Sequence, residues 1–325
     1  MVIDTIFEIT SPGEFESTAL EIFRLQYQKN LVYREFCMYL GKSDTNVTTS
    51  KHIPFLPIEF FKSKKVLVGN TIPETVFSSS GTTGSLHSKH YVTDIKLYEK
   101  SYLHAFTNFY GNIRNYCVLA LLPSYLEREG SSLIYMVNDL ITKSNHPDSG
   151  FYLHDIAGLK EKLVELDAKG TRILLIGVSF ALLDLVEKHQ LNLKHTIVME
   201  TGGMKGRRKE MIREELHGIL KKGFGVQSIH SEYGMTELLS QAYSKGNGIF
   251  TSPPWMKITI RDTEDPLSEQ KKGKTGGVNI IDLANIHSCS FIATQDLGKT
   301  YADGSFEILG RFDHSDIRGC NLMLL

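Results

Sequence analysis

Ile173-Leu-Leu-Ile-Gly-Val178 carries no polar side chain. It is far shorter than the ~18 apolar residues that cross a bilayer, and it lacks the alternation of a strand with one wet face. It reads as a strand buried on both sides, and so does Cys117-Val-Leu-Ala-Leu-Leu122. Working outward, Glu74–Ser78, His90–Thr93, His195–Met199 and Val226–His230 are further strand candidates. Between the strands lie amphipathic stretches: Leu97–Phe109, Ser132–Thr142, Gly158–Ala168 and Lys209–Lys221. Alternation of this kind predicts an α/β fold with parallel sheets flanked by helices.

The flanks differ from the centre. Helix-spaced apolar positions over Glu14–Gln28 and Leu31–Leu40, broken by Pro54 and Pro57, mark residues 1–70 as a helical lead-in packed on the main domain, 71–250. After Thr251 the helical pattern stops. Lys257–Arg261, Gly277–Asp282, Ser290–Thr294 and Ser305–Leu309 predict a smaller, largely antiparallel β-rich subdomain over 251–325, with polar turns at Glu264–Lys274 and Ala302–Gly304.

Composition narrows the functional classes. Among 325 residues, 36 Lys+Arg against 37 Asp+Glu leave a formal charge of -1, which gives no electrostatic footprint for nucleic acid or an anionic membrane. The first residues carry acids where a signal peptide carries Lys or Arg, and no run is long enough for a transmembrane segment. Cys37, Cys117, Cys289 and Cys320 form neither a disulfide framework nor a CxxC metal pair, so a reducing cytoplasm is expected. No His/Cys/Asp spacing matches a zinc site.

Four segments carry candidate chemistry. Ser78-Ser-Ser-Gly-Thr-Thr-Gly84 follows a strand candidate and holds only hydroxyls and glycines, so backbone N–H groups can approach phosphate oxygens while Ser78, Ser79, Ser80, Thr82 and Thr83 add donors. Ser85 and Leu86 follow where a Walker A loop has Lys-Ser or Lys-Thr. Taken alone, the run is equally an exposed Ser/Gly linker. In Ser231-Glu-Tyr-Gly-Met-Thr-Glu237, Thr236 and Glu237 can hold Mg2+ against nucleotide phosphates. The same residues could open a helix capped by Thr236.

Glu200-Thr-Gly-Gly-Met-Lys-Gly206 ends another strand candidate, where Gly202 and Gly203 could let a flat base lie on the backbone or could simply turn the chain. Asp296 of Gln295-Asp-Leu-Gly298 and Arg311 of Gly310-Arg-Phe-Asp313 could hold a ribose, or each could sit in an ordinary turn. Asp303-Gly304 is a hairpin signal. His230 ends a strand candidate and either faces a ligand or serves as a structural imidazole, while His87 and His90 are expected in solvent. Cys37, Cys117 and Cys289 lie in apolar surroundings and are expected in the core.

In this order the segments resemble the adenylate-forming superfamily that includes acyl-CoA synthetases. Ser78–Gly84 is similar to its phosphate loop, Tyr233-Gly-Met-Thr-Glu237 to its Tyr-Gly-x-Thr-Glu motif, and Asp296 with Gly310-Arg-Phe-Asp313 to its ribose-binding Asp and hinge-proximal Arg. Within it the chain resembles the LuxE-type acyl-protein synthetase family. That likeness runs from about Pro54 to Cys320 through Phe77-Ser-Ser-Ser-Gly-Thr-Thr-Gly, Leu122-Pro-Ser-Tyr-Leu-Glu-Arg, Ser131-Ser-Leu-Ile-Tyr-Met, Glu232-Tyr-Gly-Met-Thr-Glu and Ile317-Arg-Gly-Cys320.

The resemblance implies the large N-terminal domain of an adenylate-forming enzyme and a two-step reaction. ATP and a fatty acid would give acyl-adenylate and pyrophosphate, and the acyl group would then pass to a protein cysteine and on to a fatty-acyl reductase partner. By motif, Ser78, Ser79, Ser80, Gly81, Thr82, Thr83 and Gly84 would hold phosphates, Glu237 the magnesium, Gly202 and Tyr233, with neighbours Gly203 and Gly234, the adenine, and Asp296 and Arg311 the ribose.

The family's further C-terminal lid domain, which supplies a lysine, is expected to be absent because little sequence follows Asp313. Lys205, Arg207, Arg208 and Arg318 are candidate substitutes, Lys205 being nearest a motif. Cys320, close to Arg318 and His314, is the candidate acyl acceptor, because nearby positive charge lowers a thiol pKa from ~8.5. It could equally dock the terminus as a small hydrophobe. Two further readings stay open: an acyl- or aryl-CoA ligase, and a non-catalytic nucleotide-binding partner of a reductase.

Overall fold

In a computed structural model, residues 5–79, 86–123, 130–202 and 211–312 are described. In chain order the elements are α1 (Pro12–Lys29), α2 (Leu31–Tyr39), β1 (Leu56–Pro57), β2 (Thr75–Ser78), β3 (Lys89–Val92), α3 (Ile95–Tyr110), β4 (Cys117–Leu121), α4 (Ser132–Ser144), β5 (Gly150–Phe151) and α5 (Ile156–Ala168). There follow β6 (Ile173–Val178), α6 (Ser179–Lys188), β7 (Thr196–Thr201), α7 (Arg213–Phe224), β8 (His230–Tyr233), β9 (Ala242–Ser244), β10 (Phe250–Thr251), β11 (Met256–Arg261), β12 (Gly276–Asp282), β13 (Phe291–Thr300) and β14 (Phe306–Arg311). The fold is α/β.

The chain divides into two compact units. One comprises residues 1–60, 66–69 and 254–325, so the helical lead-in shares a unit with the β-rich C-terminal residues. Ser11 and Glu14 start α1 with a reciprocal capping box, Pro12 supplying the first turn. Strands β11, β12, β13 and β14 pair antiparallel in sequence order, and β1 joins β13 in parallel. Buried Gln26 on α1 reaches across the sequence, donating from Nε2 to the Asn285 and Ile286 carbonyls and to Ser290 Oγ, and accepting from Ser290 N at 3.0 Å.

The other unit comprises 61–65 and 70–253. Its sheet has the order β5-β4-β6-β7-β8-β9-β10, parallel from β5 to β8 and antiparallel thereafter. Every residue of β4 and β6 is buried, as their uniformly apolar sequences require. Helices α3 to α7 flank the strands. Asp94 caps α3 by accepting from Lys96 N and Leu97 N. A separate antiparallel hairpin, β2 with β3, pairs Phe77 with His90 and Ser78 with Lys89.

Several sequence expectations need correction. The strand expected over Val226–His230 forms at His230–Tyr233, because Gly225 ends α7 in the left-handed region (φ 70) and Val226 N–H is spent on the Lys221 carbonyl. Thr236 caps no helix: Thr236 and Glu237 form a turn that leads to β9. The segment around Asp296 is not a turn, since β13 runs on to Thr300 and pairs Asp296 with Arg311 of β14. Helix α6, starting directly from β6, has no counterpart in the sequence reading. Cys37, Cys117 and Cys289 are free and buried as expected, and burial pushes the first two thiols up to about 12 and about 11.

Candidate active site

In an open α/β sheet, ligands gather at the carboxyl ends of parallel strands, beyond which the connections carry polar groups. Here β7 ends in Glu200-Thr201 followed by Gly202, and β8 ends in Glu232-Tyr233 followed by Gly234. The parallel register sets Glu200 opposite Ser231 and Thr201 opposite Glu232. Gly202 takes φ +70, a conformation that costs glycine little, and its carbonyl accepts from Ser179 Oγ at 2.6 Å. Ser179 also donates to Glu200 at 3.2 Å.

The partly exposed Glu232 carboxyl accepts from Thr201 Oγ1 at 2.6 Å. Burial, reinforced by Glu200 and only partly countered by the Thr201 bond, raises its pKa to about 7. Gly234 packs against the same carboxylate: a Cβ there would lie 2.5 Å from Glu232 Oε1. Gln241 Oε1, Ser231 Oγ and His217 Nε2 are buried without a hydrogen-bond partner.

The β2–β3 hairpin brings Ser78 and Ser79 into this unit. Ser78 N–H donates to the Gly130 carbonyl at 2.7 Å, and Ser79 Oγ accepts from Ser88 N at 3.0 Å. His90, expected in solvent, is only 1 % exposed, because its strand turns it inward edge-on to the Phe61 ring. Its Nδ1 lies 2.9 Å from the Thr236 carbonyl. The hairpin that opens into the Ser/Gly-rich segment is thereby bonded to the turn carrying Glu237, itself 5 % exposed. His230 contacts Tyr110 Oη through Nδ1 at 3.1 Å, and burial, with the Lys245 charge adding to it, depresses its pKa to about 4.

Asp296 and Arg311 belong to the other unit, where Arg311 Nε donates to buried Asp296 Oδ1 at 2.9 Å. Ser80, Gly81, Thr82, Thr83, Gly84, Gly203, Lys205 and Cys320 lie outside the described residues, as do Arg207, Arg208, His314 and Arg318. Sequence reading gave no role to Glu232, Thr201 or His90. The available signal was an acid beside an aromatic at a strand end for Glu232. Thr201 and His90 had none.

The residue types suit a phosphate ester and a hard cation. Hydroxyls and strand-end glycines sit at the sheet's carboxyl edge, where they offer donors and close backbone approach. Among the described residues no group of three or more His, Cys, Asp and Glu could hold a metal. A lone carboxylate of the kind Glu237 offers would suffice for magnesium, which usually takes one or two carboxylates and fills its shell with phosphate and water.

No protein-family model and no curated protein matches the chain. Solved structures do share its fold. The open conformation of 2-hydroxyisobutyryl-CoA ligase, in complex with 2-HIB-AMP and CoA, is 12% identical with a TM-score of 0.66, covering 94% of this chain and 77% of the ligase. The same ligase in its postadenylation state gives 13% identity and 0.64, over 94% and 69%. ATP-bound MatB from Rhodopseudomonas palustris gives 15% and 0.54, over 75% of this chain. The chain spans about half the length of that MatB, 49%. The fold is therefore the α/β fold of these structures. Among the described residues no helix is long and apolar enough to cross a membrane.

Proposed function

We propose that this chain activates a carboxylic acid with ATP and magnesium, forming an acyl-adenylate. An acid oxygen attacks the α-phosphorus, the bond to the β-phosphate breaks, and pyrophosphate leaves. The observation that carries this reading lies within one unit: the β7–β8 register sets the Gly202 turn beside the Tyr233–Glu237 turn, and the His90 bond to Thr236 ties the Ser78–Ser79 hairpin to the latter. Ser78 and Ser79, continuing through Gly84, would take the phosphates, and Gly202, Tyr233 and Gly234 the adenine. Glu237, beside Thr236, would hold magnesium, which neutralises charge on the phosphates. The ribose role of Asp296 and Arg311 rests on the motif resemblance.

In the finer reading, the chain is an acyl-protein synthetase of the LuxE type in a reducing cytoplasm. The acid is a fatty acid, the Cys320 thiolate attacks the acyl carbonyl, the bond to AMP breaks, and the thioester passes to a reductase partner. Lys205 and His230 would assist. The likeness to a CoA ligase bound to 2-HIB-AMP and CoA over 94% of this chain favours a second reading, with CoA as the acceptor.

Acid-dependent ATP–pyrophosphate exchange in the presence of magnesium tests the activation step, and its absence with every acid tried refutes it. Intact mass after incubation with ATP and myristate then separates the acceptors. An acyl adduct that Cys320→Ser removes while exchange persists supports the protein thiol. Acyl-CoA formation without an adduct supports CoA.

A further inference from the structure

We infer that His90 is a positioning residue for the metal-binding carboxylate, acting through the Thr236 carbonyl. The inference rests on the magnesium-ATP reading above and adds a residue that none of its motifs contains. A histidine facing a backbone carbonyl must donate, so Nδ1 carries the proton in the 2.9 Å contact. The side chain is buried, and the edge-on Phe61 ring at 5.7 Å limits how it can turn.

The placement gives this one bond leverage. His90 is paired with Phe77 in the hairpin register, one position from the Ser78–Lys89 pair at which the Ser/Gly-rich segment departs. Thr236 immediately precedes Glu237 in the turn. A donor fixed to the phosphate-side hairpin thus sets the height of the carbonyl next to the metal-side carboxylate. Farther along, Ser240 Oγ meets Ser101 Oγ of α3 at 3.0 Å, both fully buried. The turn is held at Thr236 and at Ser240; Leu238 lies between those anchors, and its N–H closes a short helical-type bond around Thr236 to the Met235 carbonyl, 3.1 Å. Releasing the first anchor frees the segment that carries Glu237 while leaving the second in place.

The geometry also specifies which replacement preserves the function. In asparagine the amide nitrogen stands on Cγ, as Nδ1 does in histidine, so His90→Asn keeps a donor at the same reach. His90→Leu fills the space without one. Hydrogen exchange at the Leu238 amide, read in the protein without nucleotide, should speed up about tenfold in His90→Leu and stay near the wild-type rate in His90→Asn. The magnesium concentration giving half-maximal pyrophosphate exchange should rise about tenfold in His90→Leu with the KM for the acid unchanged, and should recover in His90→Asn.

Equal Leu238 exchange in wild type and His90→Leu overturns the inference. So does equal impairment of the two variants, which would show that the imidazole is needed for packing alone. Failure of the wild type to exchange pyrophosphate counts against acid activation only. The positioning role is then read from equilibrium ATP binding at varied magnesium, where identical dependence in wild type and His90→Leu, or no ATP binding by the wild type, overturns it.

Discussion

Thr201 Oγ1 donates to Glu232 Oε2 at 2.6 Å from the position directly opposite on the neighbouring parallel strand. This bond favours the ionised carboxylate, yet burial and the adjacent Glu200 outweigh it, and the Glu232 pKa stands at about 7. Its charge also acts on Tyr98 and Tyr243, whose pKa values are raised by burial first and by Glu232 second. With a pKa of about 7, the group at the end of β8 is about half ionised at neutral pH.

The sign of the stability effect follows. Glu232 binds its proton more tightly folded than unfolded, so its contribution is complete below about 4.5 and is lost as pH rises to about 7. Denaturant unfolding at pH 5 and pH 8 should show wild type losing on the order of 3 kcal/mol through this group, a loss absent in Glu232→Gln. An equal pH response in both proteins would contradict the assignment.

His230 works in the opposite direction. Its pKa falls from 6.5 to about 4 through burial and then the Lys245 charge, so stability is full above 6.5 and is lost as pH falls toward 4. Replacing it with asparagine should shallow the acid limb of the stability profile by up to about 1.4 kcal/mol per pH unit. If His230 serves only Tyr110, His230→Asn will retain pyrophosphate exchange at pH 7.5. A loss of more than about a hundredfold would instead place it in the chemistry.

How far the sequence discloses the fold depends on what each strand buries. Strands β4 and β6 are legible because both faces are apolar. In β8, His230-Ser-Glu-Tyr233, the one fully buried side chain is the polar Ser231, so hydropathy carries no period and the strand is misplaced upstream. Helix α6 escapes because Val178 runs straight into Ser179 with no side-chain cap, while Gly177 lies inside the apolar run that reads as strand. Asp296-Leu-Gly298 looks like a turn, but Gly298 serves close strand approach: an added Cβ would lie 2.4 Å from the Glu307 carbonyl oxygen. The candidate site's motifs are local and readable. The His90 bond to Thr236 joins residues 146 apart, and no local pattern announces it.

Gln26 shows the same limit in the first unit, where one side chain ties α1 to residues more than 250 positions away. Gln26→Leu leaves the Asn285 and Ile286 carbonyls and the Ser290 N–H without this partner in a buried setting. The expected cost is about 3 to 5 kcal/mol of unfolding free energy, read from denaturant midpoints at unchanged m-value. A cost below about 1 kcal/mol would mean that water or a local shift replaces those bonds.

Glu237→Gln tests the metal role with little change in shape. The variant keeps the buried side chain's size and should fold, but its amide oxygen is a weaker ligand for a hard cation. Pyrophosphate exchange is expected to fall at least about a hundredfold, with a partial return at high magnesium. Exchange at the wild-type rate would remove Glu237 from the metal site.

Helix α7 offers a paired test of packing, since it contains two interior glycines in unlike surroundings. At Gly218 an added Cβ meets nothing within 4 Å, so Gly218→Ala gains helix propensity without a clash and should stabilise by about 0.5 to 1 kcal/mol. At Gly223 the same atom would lie 2.3 Å from Val186 Cβ on α6, an atom fixed close to its own backbone that cannot swing away. Gly223→Ala must therefore push α6 and α7 apart and should destabilise by about 1 to 3 kcal/mol despite the propensity gain. Thermal melts of the two variants should move in opposite directions from wild type. If Gly223→Ala melts as high as Gly218→Ala, the close approach of α6 and α7 at Val186 is wrong.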